Sequence, residues 1–344
     1  MNHIVPCSLR AYNTFGLETT AAQMVEYDSV EELQAFLRER NERGDRTPLL
    51  HIGGGSNLLF TRERYDECIF LHSRIRDFKV KADEGDFVYV CIGAGIAWDE
   101  WVQYAIDSHW YGLENLSLIP GEVGASAIQN IGAYGTEAKD FILFVDTVDL
   151  TTGEVRHFTA EECRYGYRDS IFKHELRGRY AVTHVHFRLS HSFRPRLDYG
   201  GIRQALDTRG LSEVDLTPQA LRQTIIAIRQ AKLPNPAQLG NAGSFFTNPI
   251  VAHSEFERIA SQYPEVPHYD IDAERVKIPA AWMIEQCGWK GRTLGRAGVY
   301  EKQALVLVNL GNASGEDIVR LCETIQHDVQ ERFGVHIAPE VNFI

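Results

Sequence analysis

Two glycine-rich stretches limit what this chain can fold into. The first, Gly53-Gly54-Gly55-Ser56-Asn57, follows directly on the apolar run Leu49-Leu50-His51-Ile52, which reads as a buried strand. A second strand, Leu58-Leu59-Phe60, comes after it. Glycines behind a strand let backbone N–H groups approach a pyrophosphate, and their φ freedom permits an anion-binding nest. The spacing is neither GxGxxG nor GxxxxGK(S/T), and no helix follows, so Rossmann and P-loop readings fail. Taken alone, the stretch reads equally well as a tight turn. The second stretch, residues 120–135, holds four glycines, the amide pair Gln129-Asn130 and small side chains. That composition suits a place where a large planar cofactor lies against backbone. With Gly93-Ala94-Gly95 behind another strand, three such pieces suggest a dinucleotide bound in extended form. A side chain at Gly55 or Gly124 is then expected to displace the cofactor while the chain stays folded.

The remainder of the chain supplies the frame. Ser29 and Glu32 form a capping box ahead of Leu33, Phe36 and Leu37 at helical spacing. Residues 98–106 and 217–233 read as helices, the latter ended by Pro234. Residues 87–92 and 144–150 read as strands, with Thr151-Thr152-Gly153 as a turn. Ser314 and Asp317 cap a final helix that Gly334 stops, and Val335-His336-Ile337 reads as a short strand. A net charge of -12 argues against a general nucleic-acid binder, although one pocket can still be basic. The six cysteines form no CxxC pair and no zinc-ligand spacing, so they read as free thiols in a reducing compartment, with no metal expected. Residues 1–16 lack the apolar core of a signal peptide, and no apolar run is long enough to span a bilayer. A cytoplasmic protein without membrane partners is expected.

Five motifs carry a resemblance over nearly the whole chain. Residues 53–57 and 120–135, Gly166-Tyr167-Arg168-Asp169-Ser170-Ile171-Phe172, Gly243-Ser244-Phe245-Phe246-Thr247-Asn248-Pro249 and Pro339-Glu340 stand in the order and spacing of the UDP-N-acetylenolpyruvoylglucosamine reductase family. The resemblance runs from Asn13-Thr14-Phe15-Gly16 to Glu340. It implies an α+β protein: a two-subdomain FAD-binding fold of the vanillyl-alcohol-oxidase type, plus a C-terminal α/β substrate domain. The subdomains are expected at 1–75 and 76–228, the substrate domain at 229–333, and a segment returning to the active site at 334–344. The implied chemistry is NADPH-dependent reduction, through FAD, of the enolpyruvyl ether of a UDP-amino sugar in peptidoglycan precursor synthesis. A monomer is expected.

The same resemblance assigns residues. Cofactor contacts fall on Asn13, on Gly53, Gly54, Gly55, Ser56 and Asn57, on Pro120, Gly121, Gly124, Ala125, Ser126, Gln129 and Asn130, and on Gly132, Ala133 and Tyr134. Hydride addition to the enol ether develops negative charge at the adjacent carbon and its carboxylate. That charge needs positive or hydrogen-bonding groups aimed in advance, implied here as Arg168 and Glu340. Glu340 must be protonated to donate. Ser244 is implied as the acid that protonates the carbon, and it needs nearby positive charge or a relay to do so. Lys232 and Asn248 match phosphate-holding positions, Lys290 and Gln303 other substrate positions, and Tyr199 the tyrosine of a loop that closes over the nucleotide. Singly, Arg168-Asp169 reads as a surface ion pair, Ser244 as a turn residue and Glu340 as solvated. Glu122 stands where a small residue is expected, and Asn342 where some relatives carry arginine. An alcohol oxidase of the same fold and a non-catalytic sugar-nucleotide sensor are the rival readings.

Overall fold

The computed structural model describes residues 1–199 and 201–344, so Gly200, next to Tyr199, lies outside the described residues. The chain forms two compact units. The first comprises Met1–Cys7, Ala21–Gly54 and Tyr65–Arg229, the second Ser8–Thr20, Gly55–Arg64 and Gln230–Ile344.

The first unit carries two sheets. One runs in the order Asn2–Ile4, Thr20–Tyr27, Arg64–Ser73, Leu49–Ile52, its last two strands parallel. The helix Val30–Glu42 begins at the predicted cap, where Ser29 Oγ accepts the Glu32 N–H at 3.2 Å, but the reciprocal half of the capping box is displaced by one residue: the Glu32 carboxylate accepts the Asp28 N–H at 2.8 Å. It buries Leu33, Phe36 and Leu37 against Val25, Leu71 and Val148. The second sheet is antiparallel, in the order Val155–Thr159, Ile142–Asp149, Tyr180–Ser190, Phe87–Gly93, Phe78–Glu84. The helix Trp98–Asp107 closes one face of it, burying Trp98, Trp101 and Val102 with Val90, Val185 and Phe187. Residues 120–135 are more regular than a loop: they hold the helix Val123–Gln129 and the strand Gly132–Ala133, which pairs with Thr136–Glu137 just beyond.

The second unit packs the helix Gly315–Phe333 over small three-stranded sheets. Ile318, Leu321, Cys322, Ile325, Val329 and Phe333 form its buried stripe. Ser314 and Asp317 form the capping box, and Gly334 ends the helix at φ 71°. Val335-His336-Ile337 is not a strand. Val335 and Ile337 are buried by packing, and the chain pairs later, where Asn342–Phe343 runs parallel to Leu58–Leu59.

One buried acid makes the first unit pH-sensitive. Glu114 is 3% exposed, and burial lifts its pKa to about 7 from 4.5, outweighing its own and the Gly112 N–H groups that hold the carboxylate. A folded-state pKa above the unfolded value means that stability is full below about pH 4.5 and falls as pH rises to about 7. Glu114→Gln should remove this slope and stabilise the protein at pH 8 by about 3 kcal/mol. Urea denaturation at pH 5 and pH 8 reads it; equal pH dependence in both proteins would show that Glu114 does not ionise in this range.

Candidate active site

Within the first unit, two of the motifs are fastened together. The backbone groups of Gly166 and Asp169 exchange hydrogen bonds at 3.0 and 3.2 Å, making a tight turn. Arg168 sits in that turn at φ 55°, a left-handed conformation costly for a side-chain-bearing residue. Asn130 Nδ2 donates to the Gly166 carbonyl at 2.7 Å, and Ser170 Oγ donates to that of Ile128 at 2.6 Å. The half-buried Arg168 guanidinium donates to the Gly132 carbonyl at 2.5 Å. Asp169 is engaged by His174 at 2.7 Å. The arginine is therefore turned onto the second glycine-rich stretch. Asn130 and Tyr134 in that stretch also have positive φ, at 46° and 49°. Strain of this kind persists only where surroundings fix it, and it gathers at functional sites.

Arg229 joins this group, and sequence reasoning passed over it. It lies one turn before the end of the helix Pro218–Lys232, where an arginine reads as an ordinary solvated position. In the structure it donates to the Leu118 carbonyl at 3.2 Å and hydrogen-bonds Tyr134. Burial is the main cause holding its pKa below the usual arginine value, and the like charge of Arg168 acts in the same direction. Tyr199 flanks the same stretch: a Cβ on Gly135 would lie 3.4 Å from Tyr199 Cβ.

Glu122 has acquired a partner for its unexpected charge. Its Oε1 accepts from His72 Nε2 at 2.9 Å, and His72 Nδ1 meets Glu26 Oε1 at 3.1 Å, with Arg74 at 3.3 Å from Glu26. Burial alone would lower the His72 pKa; the hydrogen bonds and charges of Glu122 and then Glu26 prevail and raise it. Each ring nitrogen of His72 thus faces a carboxylate, and the acid at the head of the helix Val123–Gln129 has a hydrogen-bonding partner.

In the second unit, a different pair of motifs meets. Phe246 bridges Pro339, the Glu340 N–H donates to the Phe245 carbonyl at 2.8 Å, and the Thr247 N–H donates to that of Ala338 at 3.0 Å. Asn57 Nδ2 donates to the Glu340 carbonyl at 3.2 Å, and the Asn342 N–H donates to the Asn57 carbonyl at 3.0 Å. Glu340 is thus held on both sides of its backbone, half-buried, beside the segment that presents the exposed Ser244. Asn342, lacking the arginine's charge, serves this strand pairing.

Other candidates have structural work as well. The Asn13 amide donates to Leu9 and Leu17 carbonyls and accepts the Leu17 N–H at 2.8 Å, so its side chain holds its own loop. Ser126 Oγ donates to the Val123 carbonyl at 2.6 Å. Asn248 Oδ1 accepts the Ala280 N–H at 3.0 Å at the start of the helix Ala280–Gln286. Lys290 pairs with Glu285 at 2.9 Å, and Gln303 Oε1 accepts the Leu305 N–H at 3.3 Å. Lys232 is exposed at its helix end.

The glycines give two distinct answers. A Cβ on Gly55 would fall 1.8 Å from the Tyr12 carbonyl oxygen, and one on Gly124 would fall 2.8 Å from Ala94 Cβ. The fold itself requires glycine there, so the expectation that such variants stay intact is corrected. Gly53 differs: the nearest atoms to its Cβ would be Glu122 Oε2 at 3.0 Å and Ala125 Cβ at 3.5 Å. Its nearest neighbours are side-chain atoms rather than backbone, so the fold tolerates a small side chain at Gly53 better than at Gly55. Each unit also leaves a buried hydroxyl unsatisfied, Thr136 Oγ1 just past the second glycine-rich stretch in the first and Thr14 Oγ1 beside Asn13 in the second. Buried polar atoms normally have partners, so the residues fit a polar ligand such as FAD.

A two-sheet unit with glycine-lined loops, joined to a second mixed unit, defines an FAD-binding flavoprotein. Residues 21–159 match the FAD binding domain, and residues 235–344 match the C-terminal domain of UDP-N-acetylenolpyruvoylglucosamine reductase. The chain is 51% identical to the UDP-N-acetylenolpyruvoylglucosamine reductase of Bacteroides fragilis, with 98% of each chain covered. It is 46% identical to that of Pseudomonas putida, with 97% of each covered. The chain belongs to the UDP-N-acetylenolpyruvoylglucosamine reductase family. The reductase structure from Thermus caldophilus shares the fold at a TM-score of 0.66 and 23% identity, covering 99% of this chain and 98% of that one. So does 6-hydroxy-D-nicotine oxidase from Arthrobacter nicotinovorans, at 0.54 and 13%, covering 97% and 86%. No helix among the described residues is long and apolar enough to cross a membrane.

Proposed function

We propose that this protein reduces UDP-N-acetylglucosamine enolpyruvate to UDP-N-acetylmuramate, an FAD- and NADPH-dependent step of peptidoglycan precursor synthesis in the cytoplasm, and that it acts as a monomer. The observation that best supports this reading is the backbone tie between residues 243–249 and Pro339-Glu340, which keeps an exposed hydroxyl and a half-buried carboxyl on adjoining segments. FAD, when bound, supplies hydride transfer between nicotinamide and substrate. The cofactor is assigned to residues 53–57 and 120–134 with the Asn13 loop, and the substrate to residues 229–344.

Arg168 and Glu340 stabilise the negative charge that hydride addition creates, and Ser244 delivers the proton to carbon. Arg229, beside Arg168 in the first unit, joins the anion-binding set. Asn248 offers Nδ2 to a phosphate while Oδ1 caps its helix. Lys290, Gln303 and Tyr199 complete the substrate set, Tyr199 from the loop that covers the nucleotide. The test is direct: NADPH and the enolpyruvyl ether should yield a product heavier by two hydrogens, and NADPH consumption without that product would refute the assignment.

Lys232 provides a graded check. Its ammonium on a diphosphate oxygen makes a charge-assisted bond, so Lys232→Ala should weaken substrate binding by about 1.5–3 kcal/mol. Flavin reduction by NADPH in a single turnover should be unchanged. Intact substrate affinity with a failed reductive half would move Lys232 to the nicotinamide side.

A further inference from the structure

The antiparallel sheet of the first unit brings together three side chains that the proposed reaction does not use. Cys91 lies on the strand Phe87–Gly93 and pairs in register with His186 on Tyr180–Ser190. Asp146 lies on the next strand, Ile142–Asp149, at a register shift between Asp146 and Thr147. Bulges of this kind re-aim a side chain. Here the Asp146 carboxylate reaches His186 Nε2 at 2.8 Å through Oδ2 and His157 Nδ1 at 2.6 Å through Oδ1. One sulfur, one imidazole nitrogen and one carboxylate oxygen all lie within 4.8 Å of one another. Residues 91, 146 and 186 share no sequence spacing, which is why the cysteine pattern indicated no metal.

We propose that Cys91, Asp146 and His186 form a binding site for one divalent zinc-class ion, separate from the flavin and substrate residues. Thiolate, imidazole and carboxylate are the donor types of zinc sites, and tetrahedral bonds of about 2.0–2.3 Å place ligand atoms roughly 3–4 Å apart. The observed triad, with His186 and Asp146 at 2.8 Å and all three donor atoms within 4.8 Å, reaches that spacing by small side-chain adjustments. Three protein ligands leave a fourth position for water. Cys91 and His186 are 4% and 7% exposed, and the Asp146 side chain is 18% exposed, so the ion would enter past the carboxylate. His157 on the other carboxylate oxygen is the outer partner that fixes ligand orientation. His186 is further fixed by stacking on Phe144, with ring centroids 3.8 Å apart. A bound ion would take the Cys91 thiolate as ligand and release its proton.

The test is calorimetric titration of the FAD-loaded, tag-free, chelator-washed protein with zinc chloride. One equivalent should bind and raise the melting temperature. Cys91→Ala, which changes little volume, should abolish the site, and His157→Gln should weaken it about 10–100-fold. Cobalt(II) in place of zinc should give a thiolate charge-transfer band in the flavin-subtracted spectrum of the wild type and none in Cys91→Ala. Absence of one-to-one binding would overturn the proposal. So would binding, or a cobalt spectrum, that is the same in Cys91→Ala and wild type, since surface histidines would then hold the ion.

Discussion

Ser244→Ala should bleach its flavin with NADPH at near-normal rate and then stall when the enolpyruvyl substrate is added. The reason is a division of labour. Delivering a proton to carbon belongs to the second half of the reaction, and the nicotinamide half does not use it. Losing a general acid costs roughly 10²–10⁴-fold in rate. Ser244→Cys keeps an ionisable hydrogen and should recover part of the loss. Arg168 and Glu340 substitutions should also spare the first half, but a thiol replaces neither group. Anaerobic stopped-flow of both halves separates these outcomes. Unimpaired reoxidation by substrate in Ser244→Ala would return Ser244 to an ordinary turn residue.

Gly55→Ala should both unfold the second unit and lose FAD. Its φ of 70° is left-handed, and the added Cβ meets the Tyr12 carbonyl oxygen at 1.8 Å and the Asn13 nitrogen at 2.9 Å. Backbone on both sides of the contact gives no cheap escape, so the cost should be at least about 3 kcal/mol, within the range of severe core and backbone defects. Gly53→Ala is the informative contrast. Its Cβ meets the end of the Glu122 side chain at 3.0 Å rather than backbone, so stability should fall by less than about 1 kcal/mol while FAD affinity drops, because the methyl group stands in the loop assigned to the cofactor. Thermal melts paired with flavin fluorescence read both variants. Full FAD occupancy in a stable Gly53→Ala protein would remove the first glycine stretch from the cofactor site.

Local chemistry made part of this molecule legible from sequence. Ser29 with Glu32 and Ser314 with Asp317 announce their helices because a cap is decided within four residues. The motifs were legible as motifs, yet their partners were not. Asn57 reaches the Glu340 carbonyl across 283 residues, and no periodicity encodes that bond. Glu122 looked like a departure because its partner, His72, comes from a different strand. Arg229 looked like the polar face of a helix until burial and Tyr134 marked it out. Gly55 was singled out for the cofactor, while the demand that the Tyr12 backbone also makes on it comes from 43 residues away and leaves no local pattern. Val335-His336-Ile337 misled because a buried alternating triplet mimics a strand when its neighbours only pack against it.

The central claim is that NADPH and the enolpyruvyl ether exchange hydride through one bound flavin. The visible absorption spectrum of the purified protein under strictly anaerobic conditions tests it most directly. The flavin band should be present as isolated, vanish on adding NADPH, and return on adding UDP-N-acetylglucosamine enolpyruvate, but not on adding UDP-N-acetylglucosamine itself. A protein without the band, or one whose reduced form regains colour only when oxygen is admitted, would contradict the account and favour an oxidase on the same fold.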